Sequence, residues 1–115
     1  MTGDEFRRLA LDLPETVEGA HMGHADFRVG GRIFATLGYP DASWAMVNLP
    51  PEQQALFVEE APAAFRPVKG AWGLKGATNV RLDAVAEAML RSALAAAWLA
   101  RAPRPLVLAY QAARA

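Results

Sequence analysis

The stretch HADFRVGGRIFATLG, residues 24–38, decides the fold because it describes two β-strands joined by a pair of glycines. Apolar and polar side chains alternate on both sides of Gly30-Gly31, which is the pattern of a half-buried hairpin. A two-residue loop would place Ile33 on the opposite face of the sheet from Phe27. A three-residue loop of Val29, Gly30 and Gly31, with Gly31 in the left-handed conformation, removes this conflict and is therefore predicted.

This register assigns every strand residue to one of two faces. It pairs Arg28 with Arg32, and side chains on the same face alternate along each strand. The residues predicted on the core face are Ala25, Phe27, Ile33, Ala35, Leu37, Val47, Leu49, Val80 and Leu82. The residues predicted on the other face are Arg28, Arg32, Phe34, Trp44, Met46, Asn48, Asn79 and Arg81.

The segments around this hairpin give the order of elements. Thr2 and Glu5 form a capping box for a first helix over residues 3–13, and SWAMVNL (43–49) is a third strand. Pro51 begins a short helix, two strands flank a turn at Gly73–Gly76, and Asp83 caps a long last helix. The order α-β(3)-α-β(2)-α predicts a two-layer α+β domain with a mainly antiparallel five-stranded sheet and its helices on one face.

We expect residues 1–102 to form a single domain, followed by a C-terminal tail, 103–115, that folds back as a helical turn or frays. The chain has 115 residues, of which 53% are hydrophobic, enough to bury a core of its own. It has no cysteine, which excludes disulfides and thiolate metal sites. No apolar run reaches the roughly 18 residues of a membrane span, so a cytoplasmic protein without membrane contact is expected.

Charge is distributed unevenly along the chain although its net value is zero. Residues 1–65 contain four basic and ten acidic side chains, a net of −6, whereas residues 66–115 contain eight basic and two acidic ones, a net of +6. The imbalance fits either a basic binding face or two oppositely charged halves that pack together.

The sheet face away from the helices is the candidate binding surface, because exposed aromatic side chains beside cations are common in contact surfaces. Phe34, Trp44, Met46 and Asn79 are predicted there with flanking arginines. Three interpretations remain open. The tail or residues 62–70 cover this face, the chain self-associates through it as a homodimer, or a nucleic acid or other ligand rests on it.

GAWGLKGATNVRL, residues 70–82, raises a similar choice. The favoured interpretation is structural, with both glycines shaping a tight hairpin and Trp72 burying its ring at the sheet edge. In the alternative, Lys69, Lys75 and Arg81 form a basic wing that contacts phosphates. The pattern of a phosphate-binding loop is absent.

The segment HMGHAD, residues 21–26, contains metal-ligating residue types, but on an extended chain His21 and His24 point to opposite faces. The chain has no third histidine, so no metal site is expected. No serine lies in a pattern that predicts a nucleophile with its base, and neither enzyme activity nor a cofactor is expected.

The combination of motifs resembles the MmcQ/YjbR-like family over roughly residues 5–100. The matching landmarks are Leu13-Pro14-Glu15, Gly23, Phe27, Val29, Arg32, Ile33-Phe34-Ala35, Leu49-Pro50-Pro51-Glu52 and Ala71-Trp72-Gly73. The chain departs from the family at His24 and Arg32, where many relatives have lysine, and at Ala77, where a large apolar residue is common. The resemblance implies a double-wing arrangement and a DNA-binding function. The implied function rests on the similarity of fold and not on identified chemistry.

We therefore expect a non-enzymatic module that binds DNA weakly and with little sequence preference. The expected contacts are Arg28, Arg32, Lys69, Lys75 and Arg81. The alternative is a protein-interaction or small-ligand module, acting alone or as a homodimer, that uses Phe34, Trp44, Met46, Trp72 and Asn79.

Overall fold

The chain folds into one antiparallel sheet of six strands, with five helices. The computed structural model describes residues 1–115. The strands are β1 (Val17–His21), β2 (His24–Val29), β3 (Arg32–Leu37), β4 (Trp44–Asn48), β5 (Phe65–Pro67) and β6 (Ala77–Arg81), in the spatial order β1-β2-β3-β4-β6-β5. The helices are α1 (Gly3–Leu11), α2 (Pro51–Glu60), α3 (Ala71–Leu74), α4 (Glu87–Arg101) and α5 (Arg104–Ala113). The predicted α+β class is confirmed.

The sixth strand, β1, is the main difference from the expected topology. It pairs with β2 through a tight turn at Met22 and Gly23, where φ is 52° and 80°. A non-glycine residue with positive φ is uncommon, so the sequence around Met22 did not indicate a turn. Most of β1 is exposed, and its residues lack the apolar alternation by which strands are recognised.

The central hairpin has a different register from the predicted one. Gly30 and Gly31 alone form the loop, with φ of 58° and 78°, and Val29 pairs with Arg32. The extra residue that reconciles the alternation is Phe34 of β3, which lies opposite the step from Phe27 to Arg28 in β2, where the register shifts. The predicted positive φ at Gly31 is therefore correct, while the three-residue loop and the pairing of Arg28 with Arg32 are wrong.

The bulge changes the environment of Phe34. Phe34 and Ala35 are both fully buried, whereas Ile33 is only partly buried. A β-bulge sets two residues of one strand against one of its neighbour, which lets consecutive side chains leave the normal alternation. The prediction that Phe34 lies on the open sheet face is wrong.

The connection from β5 to β6 is longer than the predicted hairpin and contains the short helix α3. Its two glycines allow close backbone contacts: a Cβ on Gly73 would lie 1.7 Å from the carbonyl oxygen of Val68, and one on Gly76 1.7 Å from that of Leu49. Gln54 of α2 fixes this connection by donating hydrogen bonds to the carbonyl oxygens of Gly73 and Ala77, both at 3.0 Å.

The core lies between the sheet and the helices. Phe6 of α1 packs on Phe27 of β2 with ring centroids 5.9 Å apart, and Phe57 of α2 packs on Phe65 of β5 at 5.2 Å. The α4 side chains Leu90, Leu94 and Trp98 are buried, and Met89 is partly buried. Trp98 Nε1 donates a hydrogen bond to the carbonyl oxygen of Pro14 at 3.0 Å.

The two ends of α4 differ from expectation. α4 begins at Glu87, with Ala86 rather than Asp83 as its N-cap. Residues 103–115, expected as a tail, form α5, and Tyr110 packs on Trp98 with ring centroids 5.0 Å apart. Because Trp98 belongs to the core between helices and sheet, α5 lies on the helix side and does not cover the open sheet face. No helix combines the length and apolarity needed to cross a bilayer.

Candidate nucleic-acid interface on the open sheet face

The antiparallel register brings four of the predicted contact residues together on the sheet face opposite the helices. Met46 of β4 pairs with Asn79 of β6, and Trp44 pairs with Arg81 one step along the same strands. Trp44, Met46 and Asn79 are each partly exposed. Together with Arg66 of β5, which pairs with Asn79, these residues are called the open-face cluster below.

Trp44 is the centre of the open-face cluster. The guanidinium of Arg66 lies 5.0 Å from the centroid of its ring and that of Arg81 5.6 Å away, both within the range of a cation–π interaction. Arg81 also donates to Asp83 at 2.9 Å, which offsets its charge. Arg66 has no carboxylate partner.

Sequence reasoning missed Arg66 because the boundaries of β5 were unclear. The strand has only three residues, and its proline breaks the usual pattern. The sequence does contain one indication of the role of Arg66. The segment FRPVKG, residues 65–70, contains Arg66 and Lys69 and no acidic residue, so Arg66 lies in a basic stretch.

Arg28 lies on the open face but is occupied by an internal ion pair. Its Nε and Nη2 donate to the two carboxylate oxygens of Asp26 at 2.9 and 3.0 Å. Asp26 is fully buried although it belongs to this face, because its neighbour in β1 is Gly19, whose missing side chain leaves the space. The hydrogen bonds from Arg28, and secondarily from His21, lower the pKa of Asp26 below its ordinary value.

Asp26 in turn raises the pKa of the Arg28 guanidinium, through their hydrogen bond and their opposite charges. A bidentate arginine–carboxylate pair is among the stronger interactions of its kind. Arg28 would have to leave this partner to bind a phosphate. It is therefore a poorer phosphate contact than its position in the sequence suggested.

Arg32 does not join the open-face cluster. It pairs with Val29, whose side chain is buried on the helix side of the sheet, and a residue points to the same face as its cross-strand partner. Its charge lies close enough to Arg101, at the end of α4, to lower the pKa of that residue, secondarily to burial. The expectation that Arg28 and Arg32 form one patch is wrong because the loop is one residue shorter than predicted.

Lys69, Trp72 and Lys75 lie in the connection between β5 and β6, and all three are exposed. Trp72 is 73% exposed and its neighbour Leu74 82%. The predicted burial of Trp72 at the sheet edge is wrong. Trp72 belongs to α3 rather than to a strand, and its side chain is left exposed.

The two histidines also differ from the prediction. His21 and His24 are cross-strand partners in the β1–β2 hairpin, so they share a face instead of pointing apart. His21 Nδ1 lies 3.0 Å from an oxygen of Asp26, and the ring of Tyr39 packs edge-on against His24 at 5.2 Å. No group of three or more potential metal ligands occurs in the chain.

A shallow cleft of about 480 Å³ lies between the start of α2 and the exposed side of α4. It is lined by Pro50, Gln53, Ser92, Ala95, Ala96, Leu99 and Ala100. None of these side chains titrates near neutral pH. The cleft could therefore select a small ligand by its shape but not by its charge.

Comparison with known proteins places this geometry in a family. The YjbR family model matches residues 11–100. The crystal structure of the Deinococcus radiodurans protein DR2400, with a DUF419 domain, is similar in fold: the TM-score is 0.70 at 22% sequence identity, covering 86% of this chain and 77% of that one. No curated protein sequence matches the chain.

Proposed function

The chain belongs to the YjbR family, and from that premise we propose that it is a non-enzymatic module that binds nucleic acid weakly and with little sequence preference. The observation that supports this most directly is Trp44, whose ring on the uncovered sheet face lies within cation–π range of the guanidinium groups of both Arg66 and Arg81. Aromatic and guanidinium planes on an open sheet are suited to stacking against unpaired bases.

The charge of the segment that runs from the end of α2 to the end of β6 supports a polyanionic ligand. Residues 61–82 contain four cations, Arg66, Lys69, Lys75 and Arg81, and no acidic residue. Arg66, Lys69 and Lys75 make no ion pair within the chain, so their charges are available to phosphates. Such contacts position a nucleic acid but do not distinguish its bases.

The same count explains why binding is weak. Arg28 and Arg81 are each offset by an aspartate, which leaves three predicted or neighbouring cations without an acidic partner, Arg66, Lys69 and Lys75. Counterion release then gives log K a slope against log salt of about −2 to −3, well below that of strong DNA-binding proteins.

Fluorescence anisotropy with a labelled 20-nucleotide strand and the matching duplex tests the proposal. We expect binding at low salt that weakens as salt rises. Arg66→Gln should weaken binding to all sequences and reduce the salt slope by about one unit. Arg8→Gln is the matched control, because Arg8 is an exposed arginine of α1 with no ion-pair partner. Absence of any binding at low salt, or an equal loss in both variants, would refute the proposal.

A second candidate function is protein interaction or self-association. It is favoured by the exposure of Trp72 and Leu74 on neighbouring residues of α3, in a connection fixed by Gln54. Exposed apolar side chains in a rigid segment are typical of contact sites. Analytical ultracentrifugation separates the two functions, since association through apolar groups persists at high salt.

A further inference from the structure

Three arginines without carboxylate partners meet at the junction of α4 and α5. Arg101 ends α4, Arg104 begins α5, and Arg32 begins β3 directly after the Gly30-Gly31 loop. None of the six ion pairs in the chain includes any of them. This group of Arg32, Arg101 and Arg104 is called the junction cluster.

Backbone packing brings these residues together. Gly30 lies against Pro103, so closely that a Cβ on Gly30 would be 2.8 Å from two carbons of the proline ring. Arg32 lies two residues after Gly30, and Arg101 and Arg104 flank Pro103. The contact between loop and proline therefore fixes the start of β3 against the α4–α5 junction.

The junction cluster has an unsatisfied donor. Arg101 Nε is buried and has no hydrogen-bond partner, which is uncommon for a buried polar atom. Burial, and then the charge of Arg32, lower the pKa of Arg101. Like charges held together in a partly buried place destabilise a fold unless an anion lies between them.

We propose that the junction cluster is a binding site for a phosphate group, in which the guanidinium groups of Arg101 and Arg32 donate to its oxygens. Arginine presents planar donors that match phosphate geometry, and two such groups suit a dianion. Arg104 adds a third positive charge beside them. The site lies on the helix side of the sheet and is separate from the open-face cluster, so it does not depend on the function proposed above.

The direct test uses inorganic phosphate as the probe and NMR as the readout. Sodium phosphate is titrated into the protein at pH 7.5 with sodium chloride adjusted to hold ionic strength constant. We expect saturable shifts of the Arg101 Nε–H resonance and of the Gly30 and Gly31 amides. Shifts that are absent, or that chloride reproduces, would overturn the proposal.

Two variants locate the site. Arg32→Gln should abolish the saturable shifts, whereas Arg8→Gln should leave them unchanged. Arg32 is exposed, so the variant retains the packing of the core. Equal shifts in wild type and Arg32→Gln would overturn the assignment of this residue and with it the site.

Thermal unfolding gives an independent readout. In phosphate-free buffer Arg32→Gln should melt at the same temperature as wild type or higher, because it removes a like charge. Phosphate should raise the melting temperature of wild type only, since a ligand that binds the folded state stabilises it. A lower melting temperature of the variant without phosphate would show that Arg32 already has an anionic partner in the fold, contrary to the proposal.

The source of the phosphate is distinguished by a pair of oligonucleotides with and without a 5′-phosphate. Tighter binding of the phosphorylated strand, lost in Arg32→Gln, assigns the site to nucleic-acid ends. If inorganic phosphate shifts the junction resonances and the two oligonucleotides bind equally, the site takes small phosphorylated molecules. Both results support a phosphate site, and loss of the phosphate effect itself is the result that refutes it.

Discussion

Asp26 shows how a single residue combines burial and charge on a face that is otherwise accessible. Its carboxylate is buried, accepts two hydrogen bonds from Arg28 and lies 3.0 Å from His21 Nδ1. A buried carboxylate needs such partners, because desolvation alone would favour its neutral form. The depressed pKa shows that the hydrogen bonds outweigh burial.

The stability of the fold should therefore depend on the charge of Asp26. Because its folded pKa lies below the ordinary value of 3.8, its contribution is complete above that value and is lost as pH falls through the folded pKa. Asp26→Asn should lower the free energy of unfolding by about 2 kcal/mol at pH 7, and the difference from wild type should shrink below about pH 4. Urea unfolding at pH 7 and pH 3 measures both.

Asp83→Asn is the control for that experiment, because Asp83 and Arg81 form an exposed pair. Exposed pairs contribute little to stability. An Asp26→Asn variant as stable as Asp83→Asn at pH 7 would show that the buried pair is not stabilising.

Gly76 is required for another reason, because the backbone of Leu49 approaches it too closely for any side chain. It has φ of 111°, and a Cβ would overlap the carbonyl oxygen of Leu49. Gly76→Ala should cost about 3 kcal/mol or more, because strain and overlap add. Gly31→Ala has positive φ but no atom within 4 Å of the added carbon, so it should cost only about 1–2 kcal/mol. Equal losses in chemical denaturation would contradict this difference.

At the scale of elements, α4 joins the sheet to both terminal helices. Trp98 is fully buried, binds the carbonyl of Pro14 and supports Tyr110 of α5. Trp98→Ala should lower the free energy of unfolding by about 3–5 kcal/mol. Leu108→Ala, at a residue that is half exposed on α5, should change it little. An unchanged melting temperature in the Trp98 variant would contradict the packing described here.

The elements also show which parts of the structure the sequence could predict. Helix α1, which has a capping box, and helix α4, which has a long apolar stripe, were predicted to within a few residues, because local patterns determine them. The edge strand β1 was missed, and the strand expected directly before Gly73 lies several residues earlier, as the short β5, since neither has a repeating apolar pattern. The prediction placed the extra residue in the loop, whereas the structure has it at Phe34. The alternation of apolar side chains shows that an extra residue exists but not where it lies.

The candidate site was predicted only in its centre. Trp44, Met46, Asn79 and Arg81 face outward as expected because regular alternation holds in β4 and β6. Arg32, Phe34 and Trp72 were misplaced because their positions depend on a bulge, a loop length and a short helix, all of which arise from tertiary packing. Ion pairs such as that of Asp26 with Arg28 are equally invisible to pattern analysis.

For the molecule as a whole, the open sheet face and the connection that contains α3 are two separate exposed surfaces, and the proposed self-association would use one of them. If the protein forms a homodimer through the open face, Trp44→Ala should change its sedimentation mass without unfolding it. If association uses α3, Trp72→Ala should do so instead, and Trp44→Ala should not. A wild-type protein that stays monomeric at high concentration, at both low and high salt, would rule out self-association through either surface.

The hydrogen bond from Trp98 to Pro14 joins residues 84 positions apart in the chain, which has a consequence for synthesis on the ribosome. Protein chains emerge at about 5–20 residues per second, so α1 and the first four strands are complete several seconds before Trp98 appears. During that interval their apolar side chains have no α4 to cover them. The native packing around Trp98 can therefore form only after α4 has emerged, and until then the apolar face of the first four strands stays uncovered.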